Sequence, residues 1–169
     1  METTKQTQLE TNLLRALALM QHNGEDFFIL DGKAYEGTEA DAKEQFNEFI
    51  ATAYEDSLCE FELWAEDNLN EVTELDPDDY NNDYLVLTDE EADEKWEESL
   101  DSYIEECINP EIEKISGNAG NLSYYITFDE EMWKRDAKMD GRGHSLASYD
   151  GNENEETVEG VTFYIYQIN

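Results

Sequence analysis

Basic residues are what this chain has least of for its size: 10 Lys and Arg stand against 44 Asp and Glu in 169 residues, a formal net charge of -34. So few cations offer little to phosphates, which argues against direct nucleic-acid binding and against docking on an anionic membrane. Charged partners should be basic. Histidine is scarcer still, with His22 and His144 only, and His144-Ser145 in a Gly-rich loop has no third residue in view for a nucleophilic triad. No Walker A or dinucleotide glycine pattern occurs. The chain therefore reads as a non-enzyme without cofactors. Cys59 and Cys107 lack C-x-x-C spacing and fall in apolar phases of helical patterns, so they are expected as buried thiols rather than a disulfide. No stretch approaches eighteen apolar residues, and the N-terminus has no basic region followed by an apolar run, which makes a cytoplasmic setting the expectation. There are only two prolines beside 39% hydrophobic and 12% aromatic residues, too much core material for a solvated acidic tail.

The clearest stretch that is present runs from Tyr84 to Cys107, a short apolar strand signal feeding a long helix. Thr88 stands at the N-cap with Glu91 three residues on, a capping box, and Asp89 and Glu90 suit the positive end of the helix dipole. Ala92, Trp96, Leu100, Tyr103 and Cys107 recur at helical spacing and should face a core. The opposite side holds Glu90, Glu94, Glu97, Asp101 and Glu105, with Glu98 beside them, and no base interrupts the row. Like charges three and four apart cost a helix about 0.2–0.5 kcal/mol per pair. At about 1.5 Å rise per residue these carboxylates repeat every ~5–6 Å, a spacing comparable with the phosphates of one DNA strand.

In chain order, Thr7–His22 reads as an amphipathic helix with Leu9, Leu13, Leu17 and Met20 on one side, stopped by Asn23-Gly24. Asp31-Gly32 between Phe27–Leu30 and Lys33–Tyr35 signals a hairpin. Thr38 caps a helix over Glu39–Tyr54, with Ala42, Phe46, Phe49, Ile50 and Ala53 inward and Glu44, Glu48 and Glu55 outward. A further helix is expected over Asp56–Val72, with Leu58, Phe61, Ala65 and Leu69 inward, Asp56, Glu60, Asp67 and Glu71 opposite, and Trp64 at the edge. The polar run TELDPDDYNNDY reads as a loop and a boundary. Asn109-Pro110 should break the long helix, leaving PEIEKIS a short turn; SYYITF reads as a strand and Asp129 as the cap of a helix reaching Lys138. A turn-rich segment follows, and VEGVTFYIYQIN closes the chain as one strand, apolar on both faces, central in a sheet or paired across a dimer. The expected class is α+β, amphipathic acidic helices on a small mainly antiparallel sheet. The expected division is a helical region with a hairpin over 1–75 and a strand-helix-strand-helix-strand region over 76–169, or one continuous domain. Lys134, Arg135, Lys138 and Arg142 form a basic island near Trp133, read as neutralising nearby acids. Asp150, Asn152 and Asn154 imitate the start of an EF-hand, but Glu155 stands where that loop needs Gly, so no specific metal site is assigned.

The pairing of YLVLTDEEA with YYITFDEEMWKRD, followed by DGRGHSLASYDGNENEE, resembles a group of small acidic, mostly uncharacterised proteins encoded by bacteriophages and mobile elements. That resemblance covers about the second half of the chain and implies a genomic setting and a host cytoplasm, with no residue roles. In charge and size the chain is also similar to phage and plasmid antirestriction proteins that imitate DNA. From Glu55 through Glu113, 24 acids face the single base Lys95, so the charge is concentrated. The expectation is a DNA mimic that occupies the groove of a basic host DNA-binding protein, such as a restriction enzyme, a CRISPR effector or a nucleoid protein. Its contact residues would be Glu44, Glu48, Glu55, Asp56, Glu60, Asp67, Glu71, Glu90, Glu94, Glu97, Glu98, Asp101 and Glu105. Two alternatives stand beside it: an inhibitor or adaptor acting through exposed aromatics, with Trp64, Trp96 and Trp133 as candidates, and a halophile-type acidic surface without a partner. A homodimer through the final strand is open.

Overall fold

The computed structural model describes residues 2–52, 59–73 and 83–169, with side chains from residue 11 onward. The fold is α+β, with seven α-helices and two small antiparallel sheets among the described residues. The chain divides into two compact units, Met1–Asp79 with Glu156–Phe163, and Tyr80–Glu155 with Tyr164–Asn169. Expectations resting on Ala53, Tyr54, Glu55, Asp56, Leu58 and most of the TELDPDDYNNDY loop lie outside the described residues, as does the side chain of Leu9.

In the first unit, helix α1 (Glu2–His22) buries Leu17 and half-buries Leu13 and Met20. It ends where Gly24 takes a left-handed φ of 75° that an L side chain resists. Strands β1 (Phe27–Leu30) and β2 (Lys33–Glu36) form the expected hairpin, with Asp31 and Gly32 both at positive φ as a type I′ turn demands. Thr38 Oγ1 accepts from the Asp41 amide at the start of α2 (Glu39–Thr52). The core here joins Phe28, Tyr35, Ala42, Trp64 and Ala65, with Phe46 and Phe61 packed against it. Two expectations change. Phe49 and Ile50 are exposed on α2: Trp64 comes in from α3 (Phe61–Asn68) nearer to Phe46, at 5.6 Å between ring centres, than to Phe49, at 6.4 Å. And α3 stops at Asn68 instead of running to Val72: the chain turns extended at Leu69, and Asn70–Val72 hydrogen-bonds along β2, with Glu36 N–H donating to Asn70 O and Val72 N–H to Ala34 O.

In the second unit, β3 (Tyr84–Leu87) leads into α4 (Asp89–Tyr103), whose capping box is complete: Thr88 Oγ1 accepts from the Glu91 amide and the Glu91 carboxylate from the Thr88 amide. Ala92 and Leu100 are buried as expected, whereas Tyr103 and Cys107 are exposed and Ile104 is buried in their place. A π-helical turn over Ile104–Ile108 follows. It rotates the chain less per residue than an α-turn, so Ile108, half-buried, and not Cys107, returns toward the side of Ile104. The same turn lets the helix pass Pro110 without the expected break: Pro110 falls at the start of α5 (Asn109–Asn118), where a missing N–H is tolerated.

SYYITF is not a strand. Gly120–Tyr125 is a 3₁₀ helix whose bonds are local, such as Ile126 N–H to Ser123 O, while both edges of the strand best suited to receive it, β5, are occupied. Helix α6 (Glu130–Lys138) is capped by Asp129, which accepts from the Met132 amide at 2.9 Å. The turn-rich segment contains a short helix, α7 (Arg142–Leu146). The closing segment is two strands, β4 (Asn154–Val158) and β5 (Val161–Gln167), parted by Glu159 and Gly160 at positive φ. β5 is central, in the order β3-β5-β4, and pairs antiparallel with β3 from Leu87↔Tyr164 to Tyr84↔Gln167. Its two apolar faces are thereby accounted for: Phe163, Ile165 and Tyr166 are fully buried.

Candidate functional site

The acidic row of α4 is split by the fold into two edges. Along one edge the bases of α6 and α7 reach across. Lys138 pairs with Glu97, and Lys134 pairs with Asp101 and stands 3.9 Å from Glu97 and 3.6 Å from Glu130. The Lys134 pKa rises above its ordinary value, first through its hydrogen bond to Asp101 and against a smaller effect of burial. Along the other edge, Glu90, Glu94 and Glu98 are exposed and make no ion pair among the described residues, with Lys95 the one base of the helix near them, and Glu105 beyond them is likewise exposed and unpaired. Spaced four apart, the three glutamates repeat every ~6 Å. The basic island thus neutralises acids, but two of those it meets, Glu97 and Asp101, belong to the very row assigned to a partner.

Arg142 organises the base of the helix. Its guanidinium donates to Asp89 Oδ1 at 2.8 Å, to Asp93 Oδ1 at 3.1 Å and through Nε to Glu153 Oε2 at 2.8 Å, and it lies 4.4 Å from the centre of the Tyr164 ring. Burial works against its charge, but hydrogen bonds to Glu153 and Asp89 outweigh that and hold its pKa above even the usual arginine value. The Tyr166 hydroxyl donates to the same Glu153 at 2.6 Å; burial first, and this bond second, push its pKa up. Gly143 is required beside it, since a Cβ there would lie 2.6 Å from Gly151 O and 2.8 Å from Glu153 N. The segment DGRGHSLASYDGNENEE is therefore a structural clasp, joining α7, the 150–153 turn and β5 to the start of α4.

In the first unit, Glu44 and Glu48 on α2, Glu60 ahead of α3, and Asp67 on it are exposed and without ion pairs among the described residues. Glu71 sits 3.7 Å from Lys33, which is 3.0 Å from Glu66. Glu55 and Asp56 lie outside the described residues. Of the expected contact residues, Glu44, Glu48, Glu60, Asp67 and Glu71 belong to the first unit, and Glu90, Glu94, Glu97, Glu98, Asp101 and Glu105 to the second. The tryptophans are not the exposed aromatics: Trp64 is buried, Trp96 donates to Ser145 Oγ at 3.2 Å, and Trp133 is half-buried against Tyr103. Instead Tyr124 and Tyr125 stand 88% and 82% exposed, beside an exposed Leu122. Their alternating pattern, read as a strand, concealed them. Both cysteines are free; Cys59 is half-buried and Cys107, contrary to expectation, exposed. No described helix is long and apolar enough to cross a membrane. Comparison with protein-family models, with curated proteins and with solved structures finds no match for this chain.

Proposed function

We propose that the protein is a DNA mimic whose α4 enters the DNA groove of a basic host DNA-binding protein and excludes the nucleic acid by competition. The observation that carries this reading is the unpaired edge of α4: Glu90, Glu94 and Glu98 stand one turn apart and exposed, and although Lys95 follows Glu94 in the chain, none of the three makes an ion pair among the described residues. A helix that retains three like charges at i, i+4 and i+8, while Lys134, Lys138 and Arg142 are spent on its other edge, keeps a local electrostatic penalty that folding does not need. Against the Lys and Arg of a groove the same row replaces phosphates and releases counterions, and no bond is made or broken. The test is capture of host proteins by the tagged chain, elution in a salt gradient and competition by duplex DNA. DNA-binding proteins that leave at moderate salt and are displaced by DNA support mimicry. Changing Glu90, Glu94 and Glu98 together to Lys is expected to weaken capture at least about a hundredfold, with an unchanged helical signal by circular dichroism. If nothing basic is captured, the charge is a solvation feature.

A second reading has its own observation. Leu122, Tyr124 and Tyr125 form an exposed apolar stretch of the kind that anchors protein interfaces. On that reading the chain is an inhibitor or adaptor, its binding changes little with salt, and Tyr124→Ala with Tyr125→Ala removes it.

A further inference from the structure

A cavity of about 540 Å³ opens within the second unit, among α4, α6 and α7. Its walls combine two features that the acidic row lacks. Tyr103 and Trp133 stack parallel, with ring centres 5.6 Å apart and 2° between their planes, so Trp133 backs one face of the exposed Tyr103 ring and holds the ring in place as an aromatic wall. Asp136 and Asp140 stand on the same lining, with His144 and Ser145 completing it. Asp140 has no cation beside it among the described residues, and Asp136 pairs only with its exposed neighbour Arg135, at 3.2 Å. The size lies within the range of ligand pockets, about 300–1,000 Å³.

We propose that this cavity receives a guanidinium, the side chain of an arginine on the basic partner. The source of that arginine rests on the function proposed above. A flat delocalised cation can lie against an aromatic wall while its N–H groups meet carboxylates, and arginine satisfies both demands where lysine, a compact and strongly hydrated ammonium, satisfies only the second. The net negative charge of the chain draws the cation in, and the cavity selects its shape. Tyr103, exposed where Ile104 takes the buried position, becomes part of a binding wall instead of a core.

The test uses the full chain, at physiological salt so that diffuse attraction to the acidic surface is screened. N-acetyl-arginine amide, its neutral isostere N-acetyl-citrulline amide and N-acetyl-lysine amide are titrated by calorimetry and by the indole N–H resonance of Trp133, assigned with Trp133→Phe. The arginine probe should saturate and move the Trp133 resonance, with the citrulline and lysine probes at least about tenfold weaker. The pair Asp136→Asn and Asp140→Asn, both on exposed positions, should weaken the arginine probe at least about tenfold, and this outcome stands even if Trp133→Phe does not fold. Equal binding of all three probes, no movement at Trp133, or undiminished binding by the Asn pair overturns the proposal. Changing Glu90, Glu94 and Glu98 to Lys removes partner capture but leaves N-acetyl-arginine amide binding at Trp133 in place, so failure of the cavity and failure of mimicry are read separately.

Discussion

The two edges of α4 carry the same kind of residue and opposite electrostatics. Asp89, Asp93, Glu97 and Asp101 are met by Arg142, Lys134 and Lys138, whereas Glu90, Glu94 and Glu98 meet solvent. In sequence nothing separates them, and both sets are drawn from one acid-rich stretch. What separates them is where α6 and α7 pack. The acids that hold the fold together and the acids free to hold a partner are therefore distinguished by tertiary structure alone, since four of the eight acids on α4 are already met by cations.

The comparison breaks most completely if the clasp that holds the paired edge is lost. Gly143→Ala places a methyl against the backbone of Gly151, Asn152 and Glu153, where no flexible side chain can yield. Overpacking against backbone should cost about 3 kcal/mol, read as a lower midpoint in urea. Next comes Arg142→Ala. Arg142 is 12% exposed but Asp89 and Asp93 are about two-thirds exposed, so solvent screens part of the loss, and about 2 kcal/mol is expected. Either change should leave Glu90, Glu94 and Glu98 exposed in whatever remains folded; a variant of normal stability would show the clasp to be ornamental.

Alkaline pH separates the buried phenols from the surface. Burial raises the pKa of Tyr35 in the first unit and of Tyr166 in the second, so the folded state binds their protons more tightly than the unfolded chain does. For a raised pKa the contribution is complete below the unfolded value, about 10 for tyrosine, and is lost as pH climbs through the folded one. Lys134 and Lys33, also raised, act with the same sign above about 10.4. Thermal stability should therefore fall steadily from about pH 10 upward, and tyrosinate absorbance should appear late for two phenols, together with unfolding. Early titration of all ten tyrosines without unfolding would contradict this burial.

Local signals were legible wherever a short-range rule had no competitor. The Thr88–Glu91 capping box, the Asp31-Gly32 turn and the Asp129 cap are each fixed by residues a few positions apart, and each forms as the sequence implies. The near-repeat of YLVLTDEEA and YYITFDEEM shows where such rules end. The two are alike through the cap, yet Tyr84–Leu87 is a strand because β5 lies beside it, and Gly120–Tyr125, without a partner, winds into a 3₁₀ helix and leaves Tyr124 and Tyr125 in solvent. The role of the π turn was equally hidden. A spacing of three or four fits Tyr103 and Ile104 alike, and only packing decides which one is buried. For the same reason the acidic row was visible in full but its division was not, since Lys134, Lys138 and Arg142 lie 33 to 53 residues from the acids they meet.

The smallest effect is the sharpest one, because it sets two glutamates three residues apart against each other. Glu94→Gln removes like-charge repulsion from Glu90 and Glu98, one turn to either side, and should stabilise the chain by about 0.5 kcal/mol at low salt. Glu97→Gln also relieves repulsion, from Asp93 and Asp101, but those acids are already met by Arg142 and Lys134, and the change strips Lys138 and Lys134 of a partner. The second effect should exceed the first, giving a net loss of about 0.5 kcal/mol. Both differences should shrink as salt is raised. In partner capture the order is expected to reverse: Glu94→Gln, the stabilising change, should weaken binding, and Glu97→Gln should leave it nearly unaltered. Opposite signs in stability together with this reversal in binding would mean that the free edge is kept at the expense of the fold. If both variants shift stability in the same direction, the division of α4 into two edges is wrong.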